Sequence, residues 1–541
     1  MTKENGAVRG IKSVEVFGDI LAGMIHAGER RTLDGVADAA GLSTAKVRPY
    51  LNSLQRTGLG GYDPVSRQYS FGPLAALLGQ RRIEALARRY GFLDAARGIA
   101  RERDLFAGVV FWAGNGPTVA SVIPSRIASD NNVMPGTVYS VTGTASGRVF
   151  MAFSSDPRVA VRAEAELSGT ACPRGVGELR EDDNFPEAVA EVRRDGFCFI
   201  RDAYFPGYNG MAVPVMDEDG ELVCAIVVSG TANVFPKDIA RRLAERIRVE
   251  LAERIAANPS TLSAPEVTRI DPVRKELFEP VDAAADERRG VGSAETAVQI
   301  LRAMTGRAGP MRLKEICDQA GLAAGKAHSY MVSLRHAGLV EKAPGSTQYR
   351  LGPLTAEMLL VRLHGYDVFA AARALVRRLS RQTDLMCFLT TWGSYGPVVV
   401  HIERGQLTRH SDIYLGRGMS LSSTGTGRLF QANLSQQVLA PAVAAEMAVY
   451  PQLRARAPSP EDLSVILEDI RQAGYATFET GPVVGLRSLV APVRNHVGEM
   501  WFAVTLTGAI DRVRAEEQVL LAQLLLGVAS ISADLGYAAP L

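Results

Sequence analysis

Two sets of side chains in this 541-residue chain are equipped to bind something, and each set occurs twice. The first is cationic and amide-bearing. Lys46, Arg48, Asn52, Gln55 and Arg56 fall within one stretch, Ser43 to Thr57, that holds no acid, and Lys326, His328, Arg335 and His336 fall within another, Ala323 to Ala337. Such side chains on one face of a helix suit the phosphate oxygens and base edges of a duplex groove. The second set is small and hydroxylic: Thr144-Ala145-Ser146-Gly147-Arg148 and Thr424-Gly425-Thr426-Gly427-Arg428. Hydroxyls and open amides at the start of a helix receive an anion or the polar end of a ligand.

The elements that must hold these residues are duplicated too. Sixteen of the thirty-five residues from Ala40 to Leu74 recur, at an offset of 280, between Ala320 and Leu354. A helix over Ser13 to His26 carries Val14, Phe17, Ile20, Leu21 and Met24 on one face. Leu33, Val36 and Ala37 predict a second helix that stops at Ala40-Gly41-Leu42, where glycine supplies the positive-φ residue of a tight turn. The next helix starts at once, with Ser43 as N-cap and Val47, Leu51 and Leu54 as its apolar stripe. Gly58-Leu59 ends it, and Tyr62, the turn Asp63-Pro64-Val65-Ser66 and Gln68-Tyr69-Ser70-Phe71 predict a β-hairpin wing. The second copy has Ile316 and Cys317 in the leading helix, the turn Ala320-Gly321-Leu322, a helix from Ala323 to Ala337 and a wing from Leu339 to Leu351.

A helix-turn-helix with a wing and with its positive charge on the second helix points to DNA. The expected contacts are Ser43, Thr44, Lys46, Arg48, Asn52, Arg56 and Arg67 in the first head, and Lys326, His328, Ser329, Arg335 and Lys342 in the second. From Ser293 to Thr355 there are eight Lys or Arg against four Asp or Glu, and from Ile11 to Ala75 seven against six, so the second head should supply more phosphate attraction. Pro49 stands inside the first recognition helix, where the missing donor should kink or shift it. Ser329 holds that place in the second copy, and the two heads are expected to read DNA differently.

After the first wing, Leu74 to Tyr90 predicts a connector helix whose Arg81, Arg82, Arg88 and Arg89 solvate an exposed surface. From Gly91 the pattern is α+β. A helix over Phe92 to Arg103 leads to strands over Leu105 to Ala113 and Thr118 to Ile123, then to the helix that opens at Thr144 and another over Phe185 to Arg194. Strands over Phe197 to Arg201, Gly210 to Val215 and Leu222 to Ser229 follow, and a helix over Pro236 to Ala257 closes the unit. That order predicts an antiparallel sheet flanked by helices, in the manner of a small-molecule sensor. The Pro-rich, charged segment from Asn258 to Gly292 reads as a linker, partly helical from Pro272 to Phe278. The second unit repeats the first with strands over Leu385 to Trp392 and Val398 to Ile402. Beyond Thr424, the pairs Gly474-Tyr475 and Ala491-Pro492-Val493 recur at an offset of 278.

Whole-chain properties narrow the field. The charge nearly balances, 60 basic residues against 58 acidic, so any basic surface is local. The N-terminus lacks an apolar signal region and no stretch reaches the length of a membrane span, so a cytoplasmic protein without a membrane partner is expected. Five cysteines without a Cys-x-x-Cys pair predict buried free thiols and no metal site. Gly425-Thr426-Gly427 lacks the Gly-Lys-Ser/Thr ending of a P-loop, and there is neither a Gly-x-Ser-x-Gly elbow nor a His-Glu-x-x-His pair. Neither catalysis nor a cofactor is expected.

A winged helix-turn-helix closing on Tyr-x-(Leu/Phe)-Gly-Pro-Leu, then a Thr-x-x-Gly-Arg helix start and an Ala-Pro-Val strand (Val-Pro-Val in the first copy), resembles an IclR-type bacterial transcriptional regulator, present here twice in tandem. The resemblance implies an α+β chain of two winged helix-turn-helix domains (1–75 and 293–355) alternating with two GAF-like effector-binding domains (91–258 and 367–541). Connector helices at 76–90 and 356–366 and a linker at 259–292 complete the division. It implies double-stranded operator DNA as partner and a small organic effector, an acid from a catabolic pathway. By position, the effector residues are Thr144, Ala145, Ser146, Gly147, Ile200, Gly210, Val227 and Ser229, and in the second unit Thr424, Gly425, Thr426, Gly427, Phe478, Ser488, Thr505 and Thr507. Where the family often places an acid and a cysteine, this chain has Ile200 and Gly210, then Phe478 and Ser488. More apolar cavities and a bulkier, aromatic ligand follow from that departure. A sensor without DNA function remains the alternative, and a homodimer of tandem chains stays open.

Overall fold

The computed structural model describes residues 10–28, 30–64, 66–103, 105–123, 133–170, 184–203, 207–256, 289–306, 309–393, 396–405, 413–456, 458–479, 485–495, 498–535 and 537. Most of the expected linker, including the helix expected over 272–278, lies outside them. The chain forms two compact units that divide at Gly365 and Tyr366. Both heads, both connectors and the first sheet belong to the first unit, and the second sheet to the second. No helix of the described residues is long and apolar enough to cross a membrane.

In the first head, helices Lys12–His26, Leu33–Ala39 and Thr44–Thr57 precede the antiparallel wing of β1 (Gly60–Asp63) and β2 (Gln68–Phe71). The apolar stripe does what its spacing requires: Val47, Leu51 and Leu54 are essentially fully buried. Gly41 takes φ +65° at the turn between the helices. Ser43 holds the N-cap backbone position, but its side chain makes no capping hydrogen bond, so the cap expected there is one of backbone shape alone. The recognition helix runs unbroken through Pro49. Proline there costs the bond its amide would have made, and the buried stripe on either side holds the helix together.

The second head repeats this with helices Gly292–Ala303, Leu313–Ala320 and Ala324–His336 and the wing of β8 (Val340–Lys342) and β9 (Tyr349–Leu351). The connector helices, Pro73–Tyr90 and Pro353–His364, each begin with proline, whose fixed φ and absent donor suit the first helical turn. They touch at Gly79. A Cβ there would stand 2.3 Å from Leu359 Cβ and 2.6 Å from the Thr355 carbonyl, so only glycine allows this approach.

The first five-stranded sheet has the order β4-β3-β7-β6-β5, with β3 Phe106–Ala113, β4 Gly116–Ile123, β5 Cys198–Ile200, β6 Tyr208–Met216 and β7 Leu222–Thr231, all pairs antiparallel. Helices Phe92–Arg103 and Lys237–Ala256 pack on β3 and β6. Val110, Ala212 and Ala225 of the sheet meet Val149 and Phe150 of helix Ala145–Phe153 and Val189 of helix Phe185–Asp195 in one apolar core. In the second unit the order is β11-β10-β14-β13-β12, with β10 Met386–Gly393, β11 Gly396–Glu403, β12 Ala476–Phe478, β13 Leu486–Arg494 and β14 Met500–Ala509. Even an irregularity is duplicated: the β3–β4 register shifts between Val109 and Val110, and the β10–β11 register between Leu389 and Thr390.

Candidate nucleic-acid interface and effector clefts

Recognition-helix residues divide into two groups. Ser43, Lys46 and Arg48 are exposed and Thr44 half-buried on the N-terminal half of the first recognition helix, and Arg67 is exposed on its wing. In the second head Lys326, His328, Arg335 and Lys342 are exposed and Ser329 is half-buried. These positions leave cationic and hydroxyl groups available to a duplex.

Asn52 and Arg56 are placed elsewhere, against the second head. Asn52 is buried and its Nδ2 donates to the Arg289 carbonyl at 3.2 Å, and Arg56 Nη1 lies 3.2 Å from Glu295 Oε1. Polar residues at 3.6 spacing can face DNA or a second head equally well, and spacing alone did not separate the two. The surrounding contacts are reciprocal. The Ile11 amide donates to Ser333 Oγ at 2.7 Å, and the Val291 amide, 280 residues on from Ile11, donates to Ser53 Oγ at 2.7 Å. Arg56 with Glu295 is mirrored by His336 Nδ1 with Glu15 Oε1 at 3.9 Å. In addition, Arg302 Nη2 donates to the Thr57 carbonyl at 2.7 Å.

The first connector is not the solvated surface its arginines suggested. Arg81 and Arg82 are buried, Arg81 against Glu84 at 3.0 Å and Arg82 against Glu341 of the second wing at 2.5 Å. Burial lowers the pKa of Arg82, with Glu341 offsetting only part of the cost. Arg89 pairs with Glu218, in the β6–β7 turn, at 2.5 Å; burial opposes that carboxylate's charge, yet its hydrogen bonds hold it below the usual range. Of the four, Arg88 alone is well exposed. The second connector is gripped by the same sheet domain. Glu357, buried, accepts from the Gly114 amide at 3.2 Å and from Arg158 Nη1 and Nη2 at 2.9 and 3.0 Å, and His364 Nδ1 lies 2.9 Å from the Gly136 carbonyl. Both connectors are therefore fastened to the first effector-type domain.

The hydroxylic helix start is built from its own loop. Thr144 Oγ1 accepts from the Gly147 amide at 3.0 Å and donates to the Ser140 carbonyl at 2.6 Å. Glu166, which the sequence did not single out, holds this loop by accepting from Ser140 Oγ at 2.8 Å and from the Val141 and Thr142 amides at 3.2 and 3.0 Å. Burial opposes its charge, but these donors bring its pKa below the usual carboxylate value. Glu446, 280 residues later, does the same for Ser422. That spacing was the available signal.

A cleft partly open to solvent, with about 10 Å³ of room inside, lies over this helix start. Thr144, Ala145, Ser146, Gly210, Val227 and Ser229 line it as expected, together with Phe106, Ala203, Met211 and Val228, which had not been anticipated. Two expected residues are absent from the lining. Gly147 is a packing requirement, because a Cβ there would meet the Ser140 carbonyl at 2.3 Å, and Ile200 belongs to the apolar core. The lining contains no charged side chain, and Ser229 Oγ is buried without a hydrogen-bond partner. In the second unit the equivalent hydroxyls satisfy one another. Thr426 Oγ1 and Thr505 Oγ1 are 3.0 Å apart, and Ser488 Oγ donates at 3.0 Å to Thr507 Oγ1, which itself donates to the Arg487 carbonyl at 3.2 Å. Phe478 Cβ lies 2.9 Å from where a Cβ on Gly425 would sit, so its side chain covers that helix start.

Comparison with known proteins places these features. The family model described as the C-terminal part of the bacterial transcriptional regulator IclR matches residues 121–257 and again 361–533, and the IclR helix-turn-helix domain matches residues 293–344. The chain is 28% identical over 254 residues to the glycerol operon regulatory protein of Streptomyces coelicolor, covering 46% of this chain and 98% of that protein. It is 27% identical over 251 residues to the HTH-type transcriptional regulator XynR of Escherichia coli, covering 46% of this chain and 99% of that one. Among solved structures, HmgR of Pseudomonas aeruginosa is 28% identical with a TM-score of 0.41, covering 46% of this chain and all of that one.

Proposed function

The chain belongs to the IclR family of bacterial transcriptional regulators, and we propose that it works as a fused pair, one polypeptide supplying two unlike DNA-reading heads to one operator. The observation that carries this reading is the reciprocal pair of bonds between the heads, Ile11 amide to Ser333 Oγ and Val291 amide to Ser53 Oγ, both 2.7 Å. Two copies of one motif that exchange the same contact are arranged about an approximate two-fold, as the halves of a dimeric repressor are. A homodimer's symmetry demands a palindrome. Here Lys46, Arg48 and Pro49 of one head correspond to Lys326, His328 and Ser329 of the other, and an asymmetric operator is the matching target.

Effector control runs through the first effector domain, which grips both connectors through Glu218 with Arg89 and Arg158 with Glu357. A small organic molecule that enters and widens the cleft over Thr144 to Ser146 changes operator affinity to the extent that it prefers one arrangement of those grips. The uncharged lining and the unpartnered Ser229 hydroxyl favour an apolar, aromatic body carrying one hydrogen-bonding oxygen, a carboxylate included. Division into head, connector, effector domain, linker, head, connector and effector domain follows the sequence boundaries given above.

Selection of genomic DNA by the purified full chain at two salt concentrations tests the reading. Recovery of one salt-sensitive sequence with two unlike half-sites supports it. Recovery of a perfect palindrome, or of nothing above background, contradicts it, the latter favouring a sensor without DNA function.

A further inference from the structure

Three guanidinium groups meet where the first connector helix lies under the second wing. Arg82 Nη1 and Arg350 Nε both donate to the same oxygen, Oε1 of Glu341, which places the two cations side by side. Arg81, the residue before Arg82, donates through Nη1 to Glu84 Oε2 at 3.0 Å. Three cations thus share two carboxylates. Arg81 and Arg82 are only 9% and 8% exposed. Each spends its Nη1 on a carboxylate, and the Nε of each is buried with no hydrogen-bond partner. That Nε edge is the one a guanidinium uses to grasp an anion.

Arg81, Arg82 and Arg350 line one small cavity with Met304 and Leu351, and the room inside is about 10 Å³, space for a single water-sized guest. The side-chain atoms left unpartnered on the two lining residues Arg81 and Arg82 are donors only. Water must also give its own protons to acceptors, whereas an anion takes donors alone and offsets the unpaired positive charge. The pKa of Arg82 is lowered chiefly by burial; Glu341 opposes that, and the neighbouring Arg350 cation adds to it.

We infer that this cavity is a site for one small monoatomic anion, a halide, held by Arg81, Arg82 and Arg350. The ion fastens the second wing, through Arg350 on β9, to the first connector helix. It belongs to neither the DNA-facing surface nor the effector cleft.

Bromide is the probe, because it substitutes for chloride and scatters anomalously. Crystals of the full chain grown in sodium bromide should show an anomalous peak within hydrogen-bonding reach of the Arg81 and Arg82 Nε atoms, and absence of that peak overturns the site. In solution, the melting temperature should rise saturably in bromide relative to gluconate at equal ionic strength, by roughly 2 °C. Arg81→Met leaves the Arg82–Glu341–Arg350 contacts in place and should lose that difference. Bromide and gluconate responses that are the same in wild type and Arg81→Met would also overturn it, leaving water as the occupant.

Discussion

Ser293 Oγ donates a 2.7 Å hydrogen bond to Ser13 Oγ, a residue 280 positions earlier and its equivalent in the other copy. Equivalent atoms of two copies can touch only on or beside the axis that relates them. The approach of Gly79 to Leu359, again 280 apart, marks the same relationship between the connector helices. An approximate two-fold therefore runs from the supporting helices of the heads to the connectors. The two copies keep this mutual contact although their sequences differ, as Pro49 and Ser329 do at one shared position.

The connector crossing should be intolerant of bulk. Gly79→Leu drives a side chain into Leu359 and the Thr355 carbonyl and should destabilise the first unit by about 1–3 kcal/mol, as overpacking does. Leu359→Ala alone should cost about 2–5 kcal/mol by leaving a cavity, but the double variant should cost less than the sum. Chemical denaturation of the four proteins measures both, and strict additivity would separate the two positions.

Salt dependence distinguishes residues that meet phosphate from residues that hold the heads together. Lys46→Ala and Lys326→Ala should each weaken operator binding and reduce the slope of log K against log salt by about 1. Asn52→Ala and Arg56→Ala should weaken binding with the slope little changed, because their partners are the Arg289 carbonyl and Glu295. Equal slope changes in both sets would place Asn52 and Arg56 on the DNA.

Equivalent hydroxyls in the two effector domains should behave in opposite ways. Ser229 Oγ has no partner, so Ser229→Ala should leave stability within about 0.5 kcal/mol of wild type while lowering the effector's influence on operator binding. Thr507 bonds Ser488 and the Arg487 carbonyl, so Thr507→Val should cost about 1–2 kcal/mol and spare the effector response of the first domain. Denaturation and effector-dependent operator titration check the pair.

Glu357→Gln should uncouple effector from operator without abolishing either binding event. It replaces a carboxylate that accepts both Arg158 nitrogens and the Gly114 amide, on the connector that leads from the second head. The cost in stability is about 1–3 kcal/mol, since a buried acceptor loses its charge-assisted partners. An unchanged effector response in this variant would route the coupling elsewhere.

Acid should loosen the first unit in a defined window. Burial opposes charge on Asp156, Glu166 and Glu218, but hydrogen bonds bring all three below the ordinary values of 3.8 for aspartate and 4.5 for glutamate: from Arg158 to Asp156, from the Ser140–Thr142 loop to Glu166, and from Glu218's own backbone and Arg89 to Glu218. For a lowered carboxylate the stabilisation is complete above the unfolded value and lost as pH falls through the folded one. Stability should thus be insensitive to these groups at neutral pH and decline below about pH 4.5, the ordinary glutamate value. Glu166→Gln should flatten that decline in urea titrations run from pH 6 to pH 3.

Much of this molecule was readable from spacing alone. Val47, Leu51 and Leu54 predicted the buried stripe, and the second connector, expected at 356–366, spans Pro353–His364. Thr144 opens its helix as its position required. What spacing could not give was the partner of each polar face. Asn52 and Arg56 sit on a polar stripe that a neighbouring head, not solvent or a groove, covers, and Arg82 finds Glu341 259 residues away. A clamp on loop amides leaves no helical or strand periodicity, so only the recurrence of Glu166 as Glu446, 280 positions on, marked it. The occupied hydroxyls of Thr426, Thr505, Ser488 and Thr507 could be seen only once the strands were paired.

The number of half-sites protected per polypeptide decides whether the heads act as a fused pair. Native mass measurement of the complex on the selected operator gives the chains bound, and hydroxyl-radical footprinting gives the half-sites covered. Two protected, unlike half-sites for each chain is the predicted result. One half-site per chain, with a second chain recruited to cover the other, would contradict it.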